Sequence, residues 1–367
     1  MLQLLLSLVV LSCLGAGLAF LLEVADSYLG FYGDCEININ KGEKDLKVQG
    51  GETLLSTLME QGIFVPSACG GRGSCGYCKV RVLEGGGPLL PTETPWLEPD
   101  EVRDHVRISC QIKVRGDMDI EIPPELFLIR EFRSQVESIR NLTDEIKELR
   151  LLLTNSDSIT FKAGQYIQFQ VPEYEECPES VYRAYSIASP AYEPDAINLI
   201  ATKVPGGLAT TYIHEVLKEG DEVIFNGPYG DFYLRDSDRE IFFVATGSGL
   251  APIMSILYQM AEEKNPRKAT LVFGERHKKD LFYVEEIEAF KQRVPHLEVI
   301  LTLSRPEEDD VWKGERGRVT NVLEKIIKNG DNKEAYLCGH PAMVESCVEL
   351  LVKKGVPEAL IFFDKFG

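Results

Sequence analysis

Positive charge is scarce in this chain. Its 367 residues carry 39 Lys and Arg against 58 Asp and Glu, for a formal net charge of −19 and a pI near 4.8. Nucleic-acid binding wants a basic face, so that class is argued against. Docking on anionic lipid by charge alone is disfavoured for the same reason. Histidine is sparse too. His105, His214, His277 and His296 are scattered without metal-ligand spacing and read as surface residues, and His340 is assigned no catalytic role. No general acid–base pair is evident. A second CxxC pair, the usual mark of a zinc knuckle, is missing. Of nine cysteines, five (Cys13, Cys35, Cys177, Cys338 and Cys347) are an odd, scattered remainder. That remainder argues against a disulfide framework and for a reducing compartment.

What is present is an ordinary globular composition, 44% hydrophobic and 26% charged, long enough for two or three domains. One long apolar run stands out. Residues 2–22 carry no charged side chain, and Glu23 ends the run. It is long enough to cross ~30 Å of hydrocarbon as a helix. It lacks the basic n-region of a secretory signal and exceeds the usual ~7–15-residue h-region. The expectation is a retained single-pass anchor over residues 1–24.

The organising feature is Cys69-Gly70-Gly71-Arg72-Gly73-Ser74-Cys75-Gly76-Tyr77-Cys78, with Cys110 following after a gap of 31 residues. Four thiolates, three of them in one glycine-rich loop, are what a 2Fe-2S cluster requires. Glycine lets the loop turn at positive φ and lets backbone N–H groups approach the sulfurs. Cys69, Cys75, Cys78 and Cys110 are the predicted metal ligands. Arg72 is either solvated or turned to the cluster or a partner. Around the loop, strands are predicted at 36–40, 44–48, 79–83 and 107–114, and a helix at 53–61. Together they form a β-grasp-like domain over 33–128, with Cys110 on its last strand.

From 129 to 236, β-rich runs such as 149–153 and 166–171 predict an antiparallel barrel. Arg183-Ala184-Tyr185-Ser186 suits a flavin. Arg offers a donor fork to pyrophosphate, Tyr packs on an isoalloxazine, and the Ser186 hydroxyl tunes N5. Gly206-Gly207-Leu208-Ala209-Thr210-Thr211 leads into a helix, where N–H groups bind phosphate. Gly207, Thr210 and Thr211 are the candidates there, and Gly227-Pro228-Tyr229-Gly230 is read as a closing turn. In this order the signals resemble the FAD domain of the ferredoxin–NADP reductase superfamily.

From 237 to 367 the chain alternates β and α, which predicts a parallel sheet. The apolar strand 241–245 runs into Thr246-Gly247-Ser248-Gly249-Leu250-Ala251-Pro252 and a helix at 253–261, the context of a phosphate-binding turn. The third glycine of the dinucleotide fingerprint is absent; Pro252 stands there, as in that superfamily. Further strands at 269–273, 297–302 and 335–337 end in Gly274-Glu275-Arg276, Leu303-Ser304-Arg305 and Cys338-Gly339-His340-Pro341. Gly247, Gly249, Pro252, Arg276, Ser304, Arg305, Cys338 and Gly339 are the predicted nucleotide-site residues. By the same resemblance Cys338 sits near the nicotinamide C4 and Phe366 stacks near the flavin. The acidic run 307–310 would repel a 2′-phosphate and Arg305 would attract one; the balance leans to NADH and leaves NADPH open.

The whole order, with Gly62-Ile63-Phe64-Val65-Pro66-Ser67-Ala68-Cys69, Leu90-Pro91-Thr92-Glu93, Asp117-Met118-Asp119 and Asp364-Lys365-Phe366-Gly367, resembles the NADH-input F subunits of the sodium-translocating NADH:quinone reductases. It departs by a shorter flavin domain, with 16 residues between Tyr166 and Arg183. The resemblance implies an oxidoreductase that moves electrons from NADH to FAD to a 2Fe-2S cluster and on to membrane redox subunits. Cys338 and Ser186 would be its catalytic side chains. It would sit at the inner membrane with its redox domains on the cytoplasmic side. The alternative is a stand-alone membrane-tethered NAD(P)H reductase feeding an oxygenase, a corrinoid protein or another soluble acceptor.

Overall fold

A computed structural model describes residues 15–17, 32–67, 69–154, 157–307 and 311–365. Apart from residues 15–17, the expected anchor lies outside them, as does Phe366. Among the described residues no helix is long and apolar enough to cross a membrane. The chain forms two compact units, Met1–Leu128 and Ile129–Gly367.

In the first unit β1 (Asp34–Ile39) and β2 (Lys44–Gln49) form an antiparallel hairpin with Ile37 opposite Leu46. Cys35, Ile37 and Ile39 point inward with Leu46 and Val48, the period-two pattern of a half-buried pair. Helix α1 (Leu54–Glu60) is capped by the Thr53 hydroxyl, which accepts from the Ser56 N–H at 3.1 Å. It buries Leu54, Leu55 and Leu58 and stops before Gly62 at φ +72°. Then come β3 (Lys79–Glu84), the short helix α2 (Pro99–Arg103), β4 (Val106–Ile108) and β5 (Met118–Glu121). The sheet order is β2-β1-β5-β3-β4, with β1 and β5 parallel. The expected strand 107–114 is corrected here. β4 ends at Ile108, and Cys110 sits on a 3₁₀ turn, Ser109–Gln111.

The second unit opens with β6 (Arg130–Asn141), β7 (Ile146–Leu153), β8 (Tyr166–Val171), β9 (Val181–Ser186) and β10 (Ala196–Thr202). Helix α3 (Leu208–Thr211) and β11 (Glu222–Tyr229) follow. The antiparallel order is β10-β7-β6-β11-β8-β9, and an Ile187–Leu199 bridge joins its two ends. Gly227, Pro228 and Tyr229, expected as a turn, lie within β11, across a bulge in its pairing with β8.

The same unit continues through β12 (Glu240–Thr246), α4 (Leu250–Glu262), β13 (Ala269–Glu275), α5 (Val284–Arg293) and β14 (Leu297–Leu303). It finishes with β15 (Glu315–Arg316), α6 (Val319–Ile326), β16 (Lys333–Gly339), α7 (Pro341–Lys353) and β17 (Ile361–Lys365). The sheet is parallel, in the order β15-β14-β13-β12-β16-β17. Both its faces are covered, which is why β12 is continuously apolar. Ile241, Phe243 and Ala245 join one cluster, and Phe242 and Val244 join another. The first cluster also takes in Ile146, Ala163, Ala188, Ile200 and Phe232 from the barrel strands and loops. The order in which strands are added reverses about β12, so the carboxyl ends of β12 and β16 frame the crevice that such sheets offer to ligands.

Candidate functional site

The cysteine loop is held from outside. Buried Ser67 accepts from the Gly71 N–H on its hydroxyl at 3.0 Å. Gly70, Gly71, Gly73 and Gly76 all sit at positive φ, which packs N–H groups around the sulfurs. The Cys75 and Cys69 Sγ atoms lie 3.4 Å apart, and the Cys78 and Cys110 thiols form a second interacting pair. No disulfide joins them. The Cys75 thiol, with the Ser74 and Arg72 N–H groups, draws the Cys69 thiol down to about 4, against burial. Gln111 Nε2 donates to Cys110 Sγ at 3.4 Å.

Among the described residues no three His, Cys, Asp or Glu side chains are gathered as around a single ion. Two thiol pairs suit a two-iron cluster, which takes four thiolates. Arg72 is exposed.

Behind the site, Glu93 is fully buried and grips Arg107. Arg107 donates to it from Nε at 2.9 Å and from Nη2 at 2.6 Å, and the Ile108 and Leu90 N–H groups each donate at 3.0 Å. Arg107 also holds the Gly86, Gly87 and Pro88 carbonyls at 3.1, 3.1 and 3.0 Å. Burial pushes the Glu93 carboxyl up, but Arg107 and the two N–H groups outweigh it and hold it below its ordinary value. The pair fastens the 86–93 loop to β4, two residues before Cys110.

On the barrel, Arg183, Tyr185 and Ser186 lie along β9, which ends the ladder beside β8. Ser186 pairs with Tyr166 and is buried, and Tyr185 stands edge-on to Phe169 at 5.9 Å. Gly207 opens α3, with Gly206 at φ +69°. The Thr210 hydroxyl is used within this loop: it donates to Gly207 O and accepts from the Val204 N–H at 3.1 Å. The loop's backbone N–H groups, rather than that hydroxyl, face the role of phosphate donor. Thr211 ends α3 and leads straight into a π-helical turn, Tyr212–Val216, to which its side chain gives no capping hydrogen bond. A guanidinium, an aromatic face and a glycine-opened helix on one barrel fit a flavin dinucleotide.

At the crevice, the 246–249 turn and the 338–339 strand end meet backbone to backbone. A Cβ on Gly249 would fall 2.3 Å from the Cys338 carbonyl oxygen, and one on Gly339 would fall 2.4 Å from Thr246 Oγ1. Only glycine fits at either place. Pro252 is buried in the first turn of α4, and Cys338 is fully buried. Burial, then the Asp364 carboxylate, push the Cys338 thiol well up, so it stays a neutral S–H. Parallel pairing of β16 with β17 sets Asp364 opposite Cys338. Burial, then Asp231, raise that carboxyl to about 6. Arg276, Ser304 and Arg305 are exposed at the ends of β13 and β14. Main-chain bonds join these ends, from the Ser304 N–H to Glu275 O and from the Arg305 N–H to Arg276 O, each 2.9 Å. His340 caps α7, its Nδ1 accepting from the Ala342 N–H at 3.2 Å. Next to Gly247 the Thr202 hydroxyl is buried without a hydrogen-bond partner, and the Gly247 N–H is held by Glu275 Oε1 at 2.7 Å. The turn thus has the close backbone approach and donors a dinucleotide pyrophosphate uses.

Sequence reasoning missed Asp364, Glu275, Gln111 and the Glu93–Arg107 pair. Glu93 and Asp364 stood inside strings that carried the family resemblance, without a role. His214, expected at the surface, is half-buried against the Ala201 carbonyl at 3.1 Å.

Three family models match in tandem: a 2Fe-2S iron-sulfur cluster binding domain over 37–115, an oxidoreductase FAD-binding domain over 133–233, and an oxidoreductase NAD-binding domain over 243–349. The F subunit of the Na(+)-translocating NADH-quinone reductase of Neisseria meningitidis is 36% identical over 405 aligned positions, which cover all of both chains. That of Idiomarina loihiensis is 38% identical over 95% of this chain and 96% of its own. Among solved structures, the Amycolatopsis cytochrome P450 reductase GcoB matches with a TM-score of 0.73 at 25% identity, covering 90% of this chain and 98% of that one. The ferredoxin reductase in carbazole 1,9a-dioxygenase matches with a TM-score of 0.70 at 25% identity, covering 91% and 98%.

Proposed function

The chain belongs to the family of Na(+)-translocating NADH-quinone reductase F subunits, and on that premise we propose that it is the NADH-oxidising subunit that supplies electrons to membrane redox partners. It is an NADH-dependent oxidoreductase with FAD and a 2Fe-2S cluster. The observation that carries this is full-length identity to those F subunits together with all three domain matches in one chain. The same identity favours a complex subunit over a stand-alone oxygenase reductase, whose fold it shares at lower identity. The apolar run at 2–22 supports a single-pass anchor, with the redox domains on the side where cellular NADH is found.

Bound flavin supplies the exchange between a two-electron donor and a one-electron carrier, which nicotinamide lacks. The chain's own groups set the conditions. Arg183 and the 206–211 loop hold the flavin's phosphates, Tyr185 gives its ring a face, and Ser186 offers a buried hydroxyl to the ring nitrogen. The 246–249 turn, with Pro252, seats the dinucleotide. The dry, neutral Cys338 thiol lies at the end of that crevice with Asp364 opposite it on β17, so the thiol offers the reacting carbon no competing nucleophile. Arg276, Ser304 and Arg305 face the adenosine ribose side.

The test uses Cys75→Ala in the full-length protein. Anaerobic NADH should bleach its flavin at the wild-type rate, faster than NADPH does, while delivery to a membrane fraction carrying the partner subunits is lost. Loss of bleaching with FAD still bound would overturn this order of carriers. Recovery of the tagged protein always alone from mild detergent would overturn its place in a complex.

A further inference from the structure

The Thr246–Gly249 turn is where the dinucleotide's pyrophosphate is seated, yet its first N–H is already taken. Glu275, the last residue of β13, reaches across to the neighbouring strand end, and its Oε1 accepts from the Gly247 N–H at 2.7 Å. Gly247 is at φ +55°, the left-handed region that lets the turn present this N–H to the Glu275 carboxylate. β12 and β13 are paired through Thr246 and Gly274, so the carboxylate is placed by the sheet rather than by a loose loop. A carboxylate and a pyrophosphate are both anions. At one donor in a partly buried crevice they exclude each other unless the carboxylate is neutral.

We propose that Glu275 is a proton-linked gate on the dinucleotide site: NADH or NAD⁺ occupies the turn when the Glu275 carboxyl has taken up a proton, so binding tightens as pH falls.

This rests on the NADH-dependent reading above and goes beyond it by naming a residue that controls entry. The surroundings support it. Burial raises the Glu275 carboxyl to about 7, aided by Asp280 on the turn after β13; the Gly247 N–H and Arg276 pull the other way. From the β14 side the Ser304 N–H and hydroxyl both bond the Glu275 main-chain carbonyl, at 2.9 and 3.3 Å. From the β10 side comes the uncharged Thr202 hydroxyl. Arg276 is the cation that bears on the carboxylate, and its side chain is exposed. A proton is therefore the cheapest way to clear the turn for an incoming anion. The protonated carboxyl can then donate to a phosphate oxygen.

The sign follows from linkage. Ligand favours the protonated form, so the bound state carries more protons than the free state above the free carboxyl's value, and affinity falls as pH rises. The limiting slope is about tenfold in Kd per pH unit above about 7.

The experiment is calorimetric titration of the FAD- and cluster-loaded full-length protein with NAD⁺. It runs between about pH 6 and pH 8.5 in two buffers of different ionisation heat, with Glu275→Gln and Glu275→Ala alongside. Wild type should lose affinity toward that limiting slope and take up close to one proton per NAD⁺ at the alkaline end. Both variants should hold Kd nearly constant across the range, at or below the wild-type acid value. The same pattern should appear in the NADH concentration that half-saturates flavin bleaching. Parallel pH curves for wild type and variants, or no proton uptake by wild type, would overturn the gate alone. Absence of NAD⁺ and NADH binding in all three proteins at every pH, with flavin still bound, would overturn the NADH reading and the gate with it.

Discussion

Replacing Glu93 by Gln should destabilise the cluster domain by about 3–5 kcal/mol, because it strips the charge from a pair that has no water to fall back on. The Glu93 side chain is fully buried and the Arg107 side chain is 10% exposed. Four N–H donors converge on the carboxylate, two from the guanidinium and two from the Leu90 and Ile108 backbones. An amide keeps the shape. It also points one N–H₂ group at donors and leaves Arg107 uncompensated. Arg107→Met leaves the complementary orphan and frees three carbonyls that Arg107 now holds. Anaerobic urea unfolding of the full-length protein, followed by the cluster's visible absorbance, reads the loss as a lower midpoint. The double variant should cost clearly less than the two single costs summed, since it leaves no unpaired charge. Single variants within ~0.5 kcal/mol of wild type, or strict additivity, would refute the reasoning. The pH sign gives a second check. The Glu93 carboxyl is held below its ordinary value, so its contribution is fully present above the unfolded value near ~4.3. It is lost as pH falls through the lower folded value. Glu93→Gln should therefore flatten the acid limb of cluster retention.

Three further outcomes are expected. Gln111→Leu removes the side-chain amide that donates to the Cys110 sulfur; the cluster's midpoint potential, by redox titration with electron paramagnetic resonance, should fall while flavin bleaching by NADH is unchanged. Asp364→Asn should stabilise the second unit near neutral pH by about 2 kcal/mol. The wild-type carboxyl, raised to about 6, becomes a buried charge as pH rises from ~3.9 through that value; equal thermal midpoints for both proteins at acid and neutral pH would count against it. Gly249→Ala puts a Cβ 2.3 Å from the Cys338 carbonyl oxygen and 2.6 Å from the Gly339 nitrogen. It should lose NADH-driven bleaching while a Gly→Ala change at Gly116, where the added carbon meets nothing within 4 Å, leaves it intact.

The candidate cluster cysteines were legible because their chemistry lies in local spacing; Cys69, Cys75 and Cys78 need only the loop. Cys110 was legible as a candidate partner of the loop cysteines but not as a 3₁₀ residue, since Arg107 to Val114 alternates like a strand while the Cys78 carbonyl pins the Ser109 N–H at 2.8 Å and turns the chain. The nucleotide turn was legible from strand, glycines and helix in succession. The need for its second glycine was not, because the clash is with Cys338, far along the chain. Glu275 and Asp364 acquire meaning only through parallel strand pairing, which sets residues of distant strands side by side. Glu93 needs Arg107, and no periodicity links two residues fourteen apart in a loop and a strand. Pro228 misled because Gly-Pro usually punctuates a turn, whereas the bulge in β11 absorbs it.

The apolar cluster that draws Ile146, Ala163, Ala188, Ile200 and Phe232 together with Ile253, Met254, Ile256 and Met260 has a consequence for how the protein can be taken apart. Each half of the second unit contributes one wall of a common interior, and the Ser255 hydroxyl donates to the Ser189 carbonyl across it at 2.7 Å. Heating should melt both halves in one cooperative step rather than two. A fragment beginning at 237 would bare the oily side of α4, and it should precipitate or bind hydrophobic dyes instead of folding. Anyone dissecting the chain into pieces should cut after Leu128, not between the barrel and the parallel sheet.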